Sequence, residues 1–277
     1  MTGALASRDL TRPLAFWPTV RGVFSLSLEG MVWSRRSLLM AVLLGLPVIL
    51  AILYRVVLAV QVPSKLHAVS GFDLYGAVVT FYYLRNVLPL AALFYATALI
   101  ADEVEWKTIT YLLTRPLRRG AILVGKFVAY LATTLSLTLP PLVATFFILT
   151  TAGGFRGVGG HVADLFRDMG VAALAFLSYG ALFSFMGVLL RRPLIPGLLF
   201  LFVWELVANL PGYLPRFTIT VYLRSLIRHR PPAEGLGEIF GQVLPTLLCL
   251  EVLAVLIAVF LAGAAWIFSS REYVMEQ

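Results

Sequence analysis

Charge is scarce in this chain. Asp, Glu, Lys and Arg make up 13% of its 277 residues and apolar side chains 60%, whereas a water-soluble domain carries about a quarter charged residues. A water-solvated globule is therefore excluded. Cysteine is nearly absent: the single Cys249 permits no intrachain disulfide and, lying in an apolar run, reads as packing. The three histidines, His67, His161 and His229, stand far apart and show no metal-ligand or haem-ligand spacing. Carboxylates cluster only as Asp102, Glu103 and Glu105, with no nucleophile beside them. The chain thus offers no catalytic candidate and is not expected to be an enzyme by itself. No internal repeat and no low-complexity linker divides it, so 1–277 reads as one transmembrane domain.

Long apolar runs fill the space left by charge. The hydrocarbon core of a bilayer is about 30 Å thick and a helix rises about 1.5 Å per residue, so roughly 20 apolar residues make one span. Six runs approach that length, at 37–60, 81–101, 122–151, 169–190, 194–210 and 243–268. A β-barrel would alternate apolar with polar residues, and these runs are continuous. The predicted fold is an all-α polytopic membrane protein with six transmembrane helices. The polar and amphipathic segment 1–36 precedes the first run, which is unlike a cleavable signal peptide and predicts that this span is retained. Within that segment Arg21, Ser25 and Glu29 share one helical stripe, and Val20, Phe24, Leu28 and Met31 another. That pattern predicts an N-terminal interfacial helix ending at Arg35 and Arg36.

The net charge of +8 is better assigned to membrane topology than to nucleic acid, because Lys and Arg collect on the cytoplasmic side. The N-terminal segment, the connection after the second run and the basic pair Arg191–Arg192 carry most of it. Both termini are therefore expected in the cytoplasm, at a plasma (inner) membrane. The segment 211–242 becomes a long outer loop. Within it, Leu223, Leu226 and Ile227 oppose Arg224 and Arg228, which predicts a short helical excursion. Its arginines fit either a solvated surface or an anionic headgroup. Residues 153–160 read as a flexible outer turn, and Pro140–Pro141 as a kink in the third span.

Four ionisable residues fall inside predicted spans, where charge is costly and usually paired: Arg55, Arg85, Glu205 and Glu251. All four map to the outward half of the bilayer, which suggests cross-helix pairs with a structural or gating role. A different motif misleads. Gly120, Gly125 and Lys126 satisfy G-x-x-x-x-G-K, but Phe127 stands where the Mg²⁺-binding Ser or Thr belongs, and the segment opens an apolar run rather than following a strand. No nucleotide site is expected in this chain.

The most charged internal stretch is 100–130, IADEVEWKTITYLLTRPLRRGAILVGKFVAY. After the acidic exit, Trp106, Ile109, Leu112 and Leu113 follow at helical spacing, and Pro116 disfavours helix at Arg115. A short amphipathic helix between two spans results, suited either to the headgroups or to a protein partner. The stretch 101–129, which contains the segment 102–121, resembles the one that follows the second span of ABC-2-type permeases, the membrane subunits of ABC exporters. The matching positions are Asp102, Glu103, Glu105, Thr108, Leu112, Leu113, Arg115, Pro116, Arg119, Leu123, Gly125 and Lys126, with Lys107 where the family usually has glycine.

The resemblance implies a cytoplasmic coupling helix seated on a separate ABC ATPase subunit, which binds the ATP and Mg, and a second permease copy, most simply in a homodimer. Asp102, Glu103, Glu105, Trp106, Ile109, Leu112, Leu113 and Arg115 would form that ATPase-coupling interface. It also implies substrate movement outward across or out of the membrane. The alternative is a non-transport membrane anchor or scaffold that recruits a soluble partner through the same surface helix.

Overall fold

A computed structural model describes residues 16–60, 70–105, 119–151, 158–190, 192–204, 207, 214–229 and 244–270, and among the described residues every regular element is helical. The first helix, α1 (Phe16–Val32), is amphipathic as its sequence predicts. Thr19, Val20 and Val23 are buried, while Arg21, Ser25 and Glu29 are exposed. The next, α2 (Arg35–Ala59), begins at Ser34, whose Oγ accepts from the Ser37 amide at 3.2 Å. This is an N-cap on a run of good helix formers.

The second span begins ten residues before its predicted start. The helix α3 (Gly71–Ala77) is capped by Ser70, whose Oγ accepts from the Asp73 amide at 3.0 Å. It continues through a π-helical stretch (Val78–Val87) into α4 (Leu88–Glu105). The π-helical stretch lies against α2 for a local reason. Pro47 has no amide hydrogen and leaves the Leu43 carbonyl without its helical donor. The Tyr82 hydroxyl donates to that carbonyl at 2.5 Å, and Tyr83 donates to the next, Leu44, at 2.8 Å.

Two helices of 32 residues follow. The helix α5 (Arg119–Thr150) runs through Pro140 and Pro141 without ending, and α6 (Val158–Leu189) starts eleven residues before the predicted span. Residues 158–160, predicted as part of a turn, are its first turn. The helix α7 (Leu194–Leu199) passes into a π-helical turn (Phe200–Trp204). At about 1.5 Å per residue these eleven described residues span roughly 16 Å, half of a hydrocarbon core. A 3₁₀ turn (Leu214–Phe217) leads into α8 (Ile219–Leu226), and α9 (Thr246–Ser270) closes the described chain.

Among the described residues five helical stretches are long and apolar enough to cross a membrane: Arg36–Ala59, Gly71–Leu99, Gly120–Thr150, Val158–Leu189 and Thr246–Ser270. The most enclosed is α6, packed between α4 and α9, with Phe176, Tyr179 and Phe183 fully buried. By contrast, α2 exposes Leu38, Val42, Ile49 and Val56, and α9 exposes Leu247, Val255, Val259 and Trp266. Apolar area on this scale fits lipid or another protein rather than water.

Candidate functional site

Two polar clusters stand out, one at each end of the helical array. The first surrounds the stems of segment 106–118, where α4 ends and α5 begins. Lys126 is buried, with 5% of its surface exposed, and its ammonium donates to the Leu99 carbonyl oxygen at 2.6 Å. One residue earlier, Gly125 lies under α1: a Cβ there would sit 2.9 Å from the Val20 carbonyl oxygen and 3.1 Å from Val23 Cβ. Only glycine lets the two backbones approach so closely.

A hydroxyl relay adds α2 to the same end. Tyr95 of α4 donates to Ser37 Oγ at 2.6 Å; Ser37 and Ser34 share a 3.0 Å bond; and Ser34 donates to the Met31 carbonyl of α1 at 2.9 Å. Lys126 and Tyr95 therefore join α4 to α5 and to the α1–α2 elbow. Residues 120–127 are continuous helix. From Val124 onward their amides bond to carbonyls of the preceding turn, so Val124 to Phe127 form helix rather than a phosphate-cradling loop.

The second cluster fastens α8 and its flanks to α3 and α6. His229 Nε2 and Asp168 Oδ2 lie 2.8 Å apart, with side chains 4% and 1% exposed. Asp164, one turn earlier, meets Arg228 Nη1 at 3.4 Å and His161 Nδ1 at 3.5 Å. Phe72 stacks on His161 with ring centroids 3.6 Å apart and meets His229 edge-on at 4.5 Å. Gly76 leaves room for His229, since a Cβ there would come within 2.5 Å of His229 Cβ. Arg167 Nε donates to the Leu226 carbonyl at 2.6 Å, and Tyr179 and Thr220 share a 2.8 Å bond. Asp168 Oδ1, His229 Nδ1 and the Tyr75 hydroxyl are buried without a hydrogen-bond partner among the described residues, so this end is fastened by polar contacts under tension from desolvation.

Asp102, Glu103 and Glu105 continue α4 to its end, while Trp106, Ile109, Leu112, Leu113 and Arg115 lie outside the described residues. Among the four intramembrane charges, Arg55 on α2 is half-buried, Arg85 in the π-helical stretch and Glu251 on α9 are exposed, and Glu205 lies outside the described residues. No ion pair joins Arg55, Arg85 and Glu251 to one another among the described residues. The paired acid and histidine, Asp168 and His229, were not singled out by the sequence; the available signal was Asp164 and Asp168 one turn apart beside an apolar run.

Five helices of membrane-crossing length, apolar on their outer faces and fastened at both ends, define a multi-pass membrane protein. Residues 31–273 match the model of the family described as ABC-2 family transporter protein. The chain belongs to that family and is a membrane component of an ABC transporter system, in which transport rather than catalysis is its part. No match was found among curated proteins.

Proposed function

We propose that this chain is the permease subunit of an ABC exporter, working as two copies with a separate ATPase that binds ATP and Mg and seats on residues 102–118. The supporting observation is the Lys126–Leu99 bond, which holds the feet of α4 and α5 together on either side of that segment. A push from the ATPase on Glu105, Ile109 or Leu112 would then move both helices as one lever, and the Tyr95–Ser37 bond would carry the movement to α2. In this reading both termini and segment 102–121 face the cytoplasm of a plasma-membrane protein, the fifth run completes a sixth span, and substrate leaves outward. Arg55, Arg85, Glu205 and Glu251 steady the interface between membrane halves.

The test is co-expression with a candidate ABC ATPase subunit, sought first in the adjacent reading frame. A complex should co-purify, and Leu112→Ala or Glu105→Ala should uncouple ATP hydrolysis from transport without dispersing the helical domain. An isolated chain that moves substrate without ATP contradicts the proposal.

A further inference from the structure

We infer that the α8 end of the protein carries a binding pocket for an anionic phosphate headgroup, walled by Arg167 and Arg228. A cavity of about 470 Å³ opens there, lined by Arg167, Ser225, Ile227, Arg228, Leu244 and Thr246. This size suits a small polar headgroup.

Each guanidinium is held by one hydrogen bond and keeps further donors. Arg167 uses Nε on the Leu226 carbonyl at 2.6 Å, which orients the planar group and leaves its two terminal nitrogens. Arg228 uses Nη1 on Asp164 at 3.4 Å and has no other ion pair among the described residues, its side chain 71% exposed. Guanidinium forks suit phosphate oxygens, which accept bidentate bonds, and these two line one cavity. Asp164 is the carboxylate beside them, and it is shared with His161 at 3.5 Å, so the two arginines leave the pocket positive. Thr246 adds a hydroxyl at the first turn of the 25-residue α9, where backbone amides and the dipole favour an anion.

The surroundings favour a lipid as the source of the phosphate. Ile227 and Leu244 give the pocket an apolar floor. Phe166 beside Arg167, and Leu247 beside Thr246, are both exposed, so acyl chains could run down apolar helix surfaces from a headgroup held between the arginines. The inference concerns the α8 end and does not depend on which partner meets residues 102–118.

The full-length chain in detergent, titrated with phosphatidylglycerol, phosphatidylcholine or inorganic phosphate and read by native mass spectrometry, tests it. The wild type should retain phosphatidylglycerol in preference to phosphatidylcholine. The double variant Arg167→Gln, Arg228→Gln should lose affinity by roughly tenfold or more, as expected for lost charge-assisted bonds, while Arg192→Gln does not. Displacement of the lipid by millimolar inorganic phosphate, in an Arg167- and Arg228-dependent way, would assign the pocket to free phosphate as well. Raising the salt should weaken wild-type retention through screening, a reading that holds even if the double variant fails to fold. Equal retention of the two lipids, salt-independent retention, or unchanged retention in a folded double variant would each overturn the inference.

Discussion

The Lys126 ammonium and the Leu99 carbonyl oxygen meet at 2.6 Å across the two helices that bracket residues 106–118. The lysine that mimics a phosphate-loop residue in sequence is, in the fold, a strut between helix ends. Replacing it with Met keeps the bulk and removes the charge-assisted bond, at a cost of about 2 kcal/mol. Thermal unfolding of Lys126→Met should show that loss, and Lys126→Arg should recover part of it. An unchanged midpoint for Lys126→Met would mean that the bond contributes nothing to holding the stems.

Gly125 gives a second handle on the same end. Val there would press on the Val20 carbonyl and the Val23 side chain of α1, an overpacking expected to cost about 1–3 kcal/mol. With the lone Cys249 replaced by Ala, a cysteine introduced at Val23 should become more reactive to a thiol probe in the Gly125→Val background. Equal labelling rates would show that α1 does not rest on this glycine.

Two of the predicted apolar runs lie on helices of nearly the same length. The run 37–60 corresponds to Arg36–Ala59, and the run 243–268 to Thr246–Ser270. The α1 stripes were legible as well, because Val20 and Arg21 face opposite environments. The early starts of the second and fourth spans were not. Asp73, His161, Asp164, Arg167 and Asp168 lower the local hydropathy of those turns, and what allows Asp164 and Asp168 to lie buried is a pair of partners, Arg228 and His229. No local pattern reveals contacts spanning about sixty positions. Proline gave a similar lesson: Pro140 and Pro141 stay within one helix, as tertiary packing permits in membrane-spanning helices.

Breaking the Asp168–His229 pair should loosen the α8 end. Asp168→Ala leaves a buried imidazole without its carboxylate, at an expected cost of about 2–4 kcal/mol. Limited proteolysis should then cut between residues 214 and 243 sooner than in the wild type, whereas Asp168→Asn, which can still accept from His229, should be intermediate. Identical cleavage in all three proteins would show that the pair does not fasten this segment.

The membrane charges remain open to a direct test of the proposed pairing. Arg85 and Glu251 are exposed among the described residues, which leaves both open to partners in a second copy. Glu251→Gln should reduce dimer recovery or transport, and exchanging the charges, Arg85→Glu with Glu251→Arg, should restore part of it. Wild-type behaviour of every single neutralisation, at Arg55, Arg85, Glu205 and Glu251 alike, counts against the pairs.

In the proposed mechanism residues 102–121 receive the force of ATP hydrolysed elsewhere and pass it through the clamped feet of α4 and α5. The measurement that reaches it most directly is the number of ATP molecules hydrolysed per substrate moved, in vesicles containing the permease and its ATPase. Lys126→Met and Leu112→Ala should raise that ratio while the complex still assembles and hydrolyses ATP. A ratio unchanged in both variants, in intact complexes, would contradict the account.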